Sequence, residues 1–137
     1  MADINITAAN VRASSSASKP TGTIATGVTV TQGQALYRLA DGTIGLADSN
    51  GTSPANAFLG FALTAGSPAQ PIVYTSSDTA YVCGGTVVSG AAVYLSNTPG
   101  GITTTYADIA SGSTVIVIGV VNTDLTITIN PTVGGVK

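Results

Sequence analysis

The sequence predicts an all-β domain, a small β-barrel or β-sandwich built from two pseudo-repeats behind an extended N-terminal arm. Apolar residues alternate over short runs bounded by Gly, Pro, Asn and Asp, the pattern of half-buried strands. No segment of about ten residues combines helical periodicity with caps at both ends. Residues 28–37, V-T-V-T-Q-G-Q-A-L-Y, return as G-T-V-V-S-G-A-A-V-Y at residues 85–94. Thr29/Thr86, Val30/Val87, Gly33/Gly90, Ala35/Ala92 and Tyr37/Tyr94 are identical at one constant spacing.

Residues 1–26 form the arm of this scheme. D-I-N-I-T at residues 3–7 alternates like a strand, with Ile4 and Ile6 on one side. A Ser- and Ala-rich stretch with Arg12 and Lys19, broken by Pro20 and Gly22, reads as linker. Burying both isoleucines returns about 3–6 kcal/mol, whereas fixing about seven backbone residues costs roughly 7–14 kcal/mol. The arm is therefore expected to stay mobile alone and to order by adding a strand to another subunit's sheet edge.

Residues 27–137 form the β domain, with pseudo-repeats at about 27–76 and 84–130. Val28 and Val30 alternate with threonines, and Gly33 breaks the run before Ala35, Tyr37 and Leu39 share a face. Gly33 and Gly90 fit turns needing positive φ, which glycine adopts without steric cost. Asp41-Gly42 signals a hairpin into residues 43–47, and residues 97–101 take that place in the second copy. Residues 58–63 and 115–121 are near-continuous apolar runs and are expected as central strands buried on both faces. Residues 71–75 and 125–129 close the copies, with Leu125, Ile127 and Ile129 expected inward. Residues 106–110 can form a single helical turn.

A chain of 137 residues is long enough to enclose a core. Apolar residues make up 44% and charged residues only 7%, against about 25% charged in an average globular domain. Such a bland exterior suits either an extracellular β domain or a subunit partly covered by identical neighbours. Net charge is −2 with four basic residues, too few to neutralise a run of phosphates, so direct nucleic-acid binding is not expected. No apolar run reaches the roughly 18–20 residues of a spanning helix, and the start M-A-D-I-N-I lacks the features of a signal peptide. A soluble protein of a cytoplasm is expected, without membrane association. The single Cys83 cannot form an internal disulfide and reads as a small buried filler.

Chemistry-bearing clusters are sparse. There is no histidine, and the six carboxylates are Asp3, Asp41, Asp48, Asp78, Asp108 and Asp124, all near predicted turns or termini. Turn formation and solubility explain them better than an acid–base pair or a calcium site. No G-K-[ST] follows a glycine run, so no phosphate loop is expected. No catalytic residue, cofactor or metal site is therefore expected. Asn5-Ile6-Thr7 and Asn50-Gly51-Thr52 match the glycosylation pattern, which carries no weight without a secretory signal. Tyr37, Phe58, Phe61, Tyr74, Tyr81, Tyr94 and Tyr106 mostly lie within strand patterns, which favours core packing over a sugar-stacking platform.

Residues 27–47, N-A-F-L-G-F-A-L, P-I-V-Y, residues 85–102 and V-I-V-I-G-V-V together resemble tailed-bacteriophage capsid decoration proteins, also called cement or head-stabilising proteins. The similarity covers roughly residues 24–130 and rests on structural glycines, valines and tyrosines. It implies a β-tulip-like structural virion protein on the outer surface of an icosahedral head, made in the host cytoplasm. It further implies that the protein bridges neighbouring major capsid protein subunits and forms a homotrimer. Position and composition place the capsid contact on arm residues Ile4, Asn5, Ile6, Thr7, Arg12 and Lys19. The alternatives are a carbohydrate-binding or adhesin-like β module of a phage fibre or cell surface, and an enzyme using an aspartate pair.

Overall fold

The computed structural model describes residues 3–52 and 54–137, and the chain is all-β. In chain order the strands are β1 (Thr21–Thr23), β2 (Ala35–Arg38), β3 (Ile44–Leu46), β4 (Gly60–Ala62), β5 (Pro71–Thr75), β6 (Asp78–Tyr81), β7 (Ala92–Leu95), β8 (Ile102–Thr103), β9 (Thr114–Val121) and β10 (Ile127–Val136). They form two antiparallel five-stranded sheets, ordered β1-β5-β4-β2-β3 and β6-β10-β9-β7-β8. Counted from its own first strand, each sheet has the same order. Their registers correspond as well: Ala35 opposes Phe61 and Leu36 opposes Gly60 in the first, while Ala92 opposes Val120 and Val93 opposes Gly119 in the second.

The two apolar runs expected at the centre, β4 and β9, are the middle strands of their sheets. Each carries a glycine where the backbone of the next strand closes in. A Cβ at Gly60 would strike the Thr75 carbonyl, and one at Gly119 would strike the Thr128 carbonyl. The Asp41-Gly42 hairpin forms between β2 and β3, and residues 106–108 make one 3-10 turn.

Four expectations change. Val28 and Val30 form no strand; Val30 makes one bridge to Gly66, and both valines pack against the first sheet instead. Leu125 does not point inward. It occupies the β9–β10 turn at φ 66° and is half exposed, while Ile127 and Ile129 are buried as expected. Ala69, in the β4–β5 connection, shares this left-handed conformation at φ 67°. Val120, within a run expected to be buried on both faces, is 48% exposed. Finally, residues 21–26 fall inside the stretch read as arm, yet β1 pairs with β5 and Ile24 and Ala25 are buried. They belong to the body. The last strand runs on to Val136 through two register shifts, one spanning Pro131 and the other Gly134-Gly135. Bulges of this kind admit a residue that cannot keep the ladder.

Two apolar clusters hold the sheets. The larger joins Val93, Leu95, Ile102, Ile116, Ile118, Val121, Ile127 and Ile129 of the second sheet to Ala35 and Phe61 of the first. Phe61 stacks on Tyr81 with centroids 4.5 Å apart and planes 11° from parallel. The smaller covers the opposite face of the first sheet, where Leu36, Ile44, Ala62, Ile72 and Tyr74 meet Ile24 and Val30. The first sheet is thus buried on both faces. Backbone bonds tie the units together: Ala35 N–H donates to Gly100 O (2.9 Å), Gly100 N–H to Ala47 O (2.8 Å) and Ser49 N–H to Ser96 O (3.0 Å). Asn97 Nδ2 adds bonds to Ser49 Oγ (2.6 Å) and Ser113 Oγ (2.9 Å).

Replacing Gly119 with Ala forces β9 and β10 apart where the Thr128 carbonyl lies against the glycine. The expected loss is about 1–3 kcal/mol, the usual range for overpacking, read from the chemical-denaturation midpoint.

Candidate interaction surface

The edge strands of the two sheets, β1 and β3 in the first and β6 and β8 in the second, have different seams. In the first sheet the edges meet directly, through one Ile24–Ile44 bridge and a bond from Ala25 N–H to Ile44 O (2.9 Å). In the second sheet the N-terminal segment lies in the seam. Ile4 N–H donates to Ile102 O of β8 (2.8 Å), and Thr7 N–H donates to Gly84 O (2.9 Å). A 3-10 turn at Ala8–Asn10 carries the chain across. Arg12 and Val82 then exchange backbone bonds of 3.0 and 2.9 Å beside β6.

Side chains key the strap into place. Ile4 and Ile6 are half-buried against the larger cluster, and Val11 is buried within it. The groove receiving them is floored by glycines. A Cβ at Gly33 would meet Ile6 and Val11 at 2.8 Å, one at Gly84 would meet Thr7 O at 2.6 Å, and one at Gly85 would strike the Ile4 side chain. Asn5 and Thr7 alternate outward into an open cleft of about 400 Å³, shared with Asn10, Val82, Gly84, Gly85 and Thr86. Ile6 and Ala8 border a second cleft of about 220 Å³ on the other side, with Gln32 and Gln34. The strap is a ridge between two clefts.

A buried carboxylate fastens the far end. Asp78 accepts hydrogen bonds from Ser14 N–H (2.8 Å), from Ser14 Oγ–H and from Ala80 N–H (3.0 Å). Burial alone would push its carboxyl up, but these bonds, Ser14 Oγ–H foremost, outweigh burial and hold it below the ordinary value. Ser18 N–H donates to Ser77 O (2.9 Å), extending the attachment. The expectation of a segment that orders only on another subunit is therefore corrected. Sequence arithmetic counted two isoleucines, whereas the strap also has Val11, a backbone ladder and a carboxylate anchor, each hydrogen bond adding about 0.5–1.5 kcal/mol.

Of the six arm residues singled out by position, Asn5, Thr7, Arg12 and Lys19 are exposed, while Ile4 and Ile6 face the protein's own core. Asn5 and Thr7 share one cleft; Arg12 lies beside β6, and Lys19 lies beyond the Ser18 attachment. Sequence reasoning missed Asp78 and Ser14. The serine run looked like linker because its acceptor lies 64 residues away.

Four further aspartates accept hydrogen bonds within the fold. Asp41 and Asp124 each accept from a threonine two residues on, Thr43 and Thr126, and these hydroxyls hold both carboxyls low. Asp48 accepts from Asn50 N–H, and Asp3 from Ser96 Oγ–H. Among the described residues no group of three or more His, Cys or Asp side chains can hold a metal ion. Cys83 is buried, and burial pushes its thiol up, away from reactivity. Phe61, Tyr74 and Tyr81 are buried, and the ring of exposed Tyr106 lies under Lys137 Nζ at 4.5 Å. Among the described residues no helix is long and apolar enough to cross a membrane. No protein-family model, curated protein or solved structure matches the chain.

Replacing Gly85 with Val should eject the strap. Amide exchange at Ile4, Thr7 and Arg12 is expected to accelerate at least about tenfold, while the β4 and β9 amides stay protected.

Acid should loosen the same segment. Because the folded-state value of Asp78 is depressed, its contribution is complete above the ordinary value of 3.8 and is lost as pH falls through the lower folded value. Asp78→Asn is expected to flatten the acid limb of the stability profile. Asp41 and Asp124 titrate in the same direction, so the limb is reduced rather than abolished.

Proposed function

We propose that this chain is a structural virion protein that binds the outer surface of an icosahedral phage head and cements neighbouring major capsid protein subunits. The observation that carries this reading is the strap. Its apolar side chains anchor it to the body, and its outward edge presents Asn5 and Thr7, with Arg12 and Lys19 further along. A contact surface of this kind needs no reacting group. It needs donors and acceptors on an anchored backbone, and the strap supplies them.

The cleft beside Asn5 and Thr7 is lined by uncharged polar groups, glycine backbone and Val82. That suits an extended loop of a shell subunit, recognised through main-chain hydrogen bonds. Cementing then follows from mass action. A ligand that binds the assembled shell but not its dissociated subunits stabilises the shell by about 2.7 kcal/mol per site at a hundredfold excess over Kd. Repetition over symmetry-related sites multiplies the effect. The carbohydrate-binding alternative lacks the same support, because Phe61, Tyr74 and Tyr81 are enclosed and Tyr106 is engaged by Lys137.

The test is occupancy of expanded heads by the purified full chain. Wild type is expected to bind at a copy number comparable to the major shell subunit and to raise the temperature at which heads rupture. Arg12→Glu with Lys19→Glu should weaken binding about tenfold, in line with two exposed charge contacts of up to about 1 kcal/mol each. Unchanged occupancy in that variant would remove the strap from the contact, and no binding by wild type would sink the reading.

A further inference from the structure

We propose that Asn50 is a site of spontaneous backbone modification, imide formation with Gly51 followed by hydrolysis, and that Asp48 sets its rate. The inference rests on the chemistry of one loop and is independent of the shell reading. In the first step the Gly51 backbone nitrogen gives its proton to hydroxide and attacks Cγ of the Asn50 side chain. A new N–Cγ bond forms, the Cγ–Nδ2 bond breaks, and the amide nitrogen takes a proton from water and leaves as ammonia. Water then opens the cyclic imide at either carbonyl, leaving aspartate or isoaspartate at position 50. Nothing is oxidised or reduced, and the co-reactant is water.

Both the sequence and the loop geometry single out this residue. Asn50 is the one asparagine followed by glycine; every other precedes a residue with a side chain, which crowds the attacking nitrogen. Asp41-Gly42 is the matching aspartate pair, but the Thr43 hydroxyl and N–H hold the Asp41 carboxyl low and ionised, a poor electrophile at neutral pH. Asn50 is exposed, so water reaches it. Three hydrogen bonds run from the reacting pair to Asp48: Asn50 N–H to Oδ1 (3.1 Å), Asn50 Nδ2 to Oδ2 (3.2 Å) and Gly51 N–H to the main-chain O (3.0 Å). The first is an Asx turn. The second ties the leaving amide to an anion, which makes Cγ less electrophilic, and the third engages the proton that must leave. A neighbouring carboxylate also opposes the negative charge that builds during attack. The loop therefore holds its reactive pair in check and reacts when it opens. Ser49, one residue earlier, is buried and bonds Ser96 through its N–H, Thr114 through its carbonyl and Asn97 through its hydroxyl. Isoaspartate adds a methylene to the main chain at this point and strains those bonds.

Peptide mapping by mass of the purified full chain, held in mildly alkaline buffer, tests this. Folded wild type is expected to replace the amide NH2 by OH at Asn50 before any other asparagine, and at least about tenfold more slowly than chain denatured in guanidinium chloride. Asp48→Ala should speed the reaction of the folded chain roughly tenfold, and Gly51→Ala should suppress it in both states. Where Asp48→Ala does not fold, Asp48→Ser keeps an acceptor for Asn50 N–H without the charge and is expected to react at a rate between those of folded and denatured wild type. Earlier conversion at another asparagine overturns the proposal. So does a folded wild type that reacts as fast as denatured chain, or a folded Asp48 variant that reacts at the wild-type rate.

Discussion

The stack of Phe61 on Tyr81 is the contact on which the rest of the molecule depends. It seats one face of the first sheet on the interior of the second, and so merges what would be two thin sheets into one core. The first sheet has a second covered face, closed by Ile24 and Val30, while the second sheet packs its buried side chains against Ala35 and Phe61. The stack has a local cost. Tyr81 Oη is enclosed without a hydrogen-bond partner among the described residues, and an unsatisfied buried hydroxyl costs about 1–3 kcal/mol. Ring area buried at the junction of the sheets outweighs it.

A consequence of that junction is asymmetry. The first sheet is covered on both faces, whereas Val120 of the second sheet stays exposed. The same asymmetry appears at the seams. The first sheet closes its own edges at Ile24 and Ile44, whereas the second leaves a gap that the strap occupies, bonded to Ile102 on one side and Val82 on the other. Strap and open face both belong to the second sheet. The first sheet has neither.

Low charge becomes intelligible in these terms. A surface rich in Thr, Ser, Gly and Ala is poorly suited to steering a charged ligand but well suited to close, dry contact with neighbours. The serines and threonines are used largely within the fold, as with Ser14 on Asp78, Thr43 on Asp41 and Ser49 with Asn97. These bonds fix loops that have no helix or long strand to hold them. They also place Asp41, Asp78 and Asp124 in structural roles.

The all-β class, the places of β4 and β9, the Asp41-Gly42 hairpin and the burial of Cys83 were legible in the residues, because each depends on local alternation, turn chemistry or apolar run length. Leu125 was misread because alternation says nothing about where a ladder ends and a left-handed turn begins. The arm was misread because its partners, Ile102, Val82 and Asp78, are distant in sequence, and composition cannot reveal a groove made of Gly33, Gly84 and Gly85. The exposure of Val120 lay equally out of reach. Sequence by itself determined the all-β class and the central apolar strands, because alternation and run length are local; tertiary structure alone decided that the first sheet would be covered on both faces while Val120 of the second stays exposed, because that depends on which sheet packs on which.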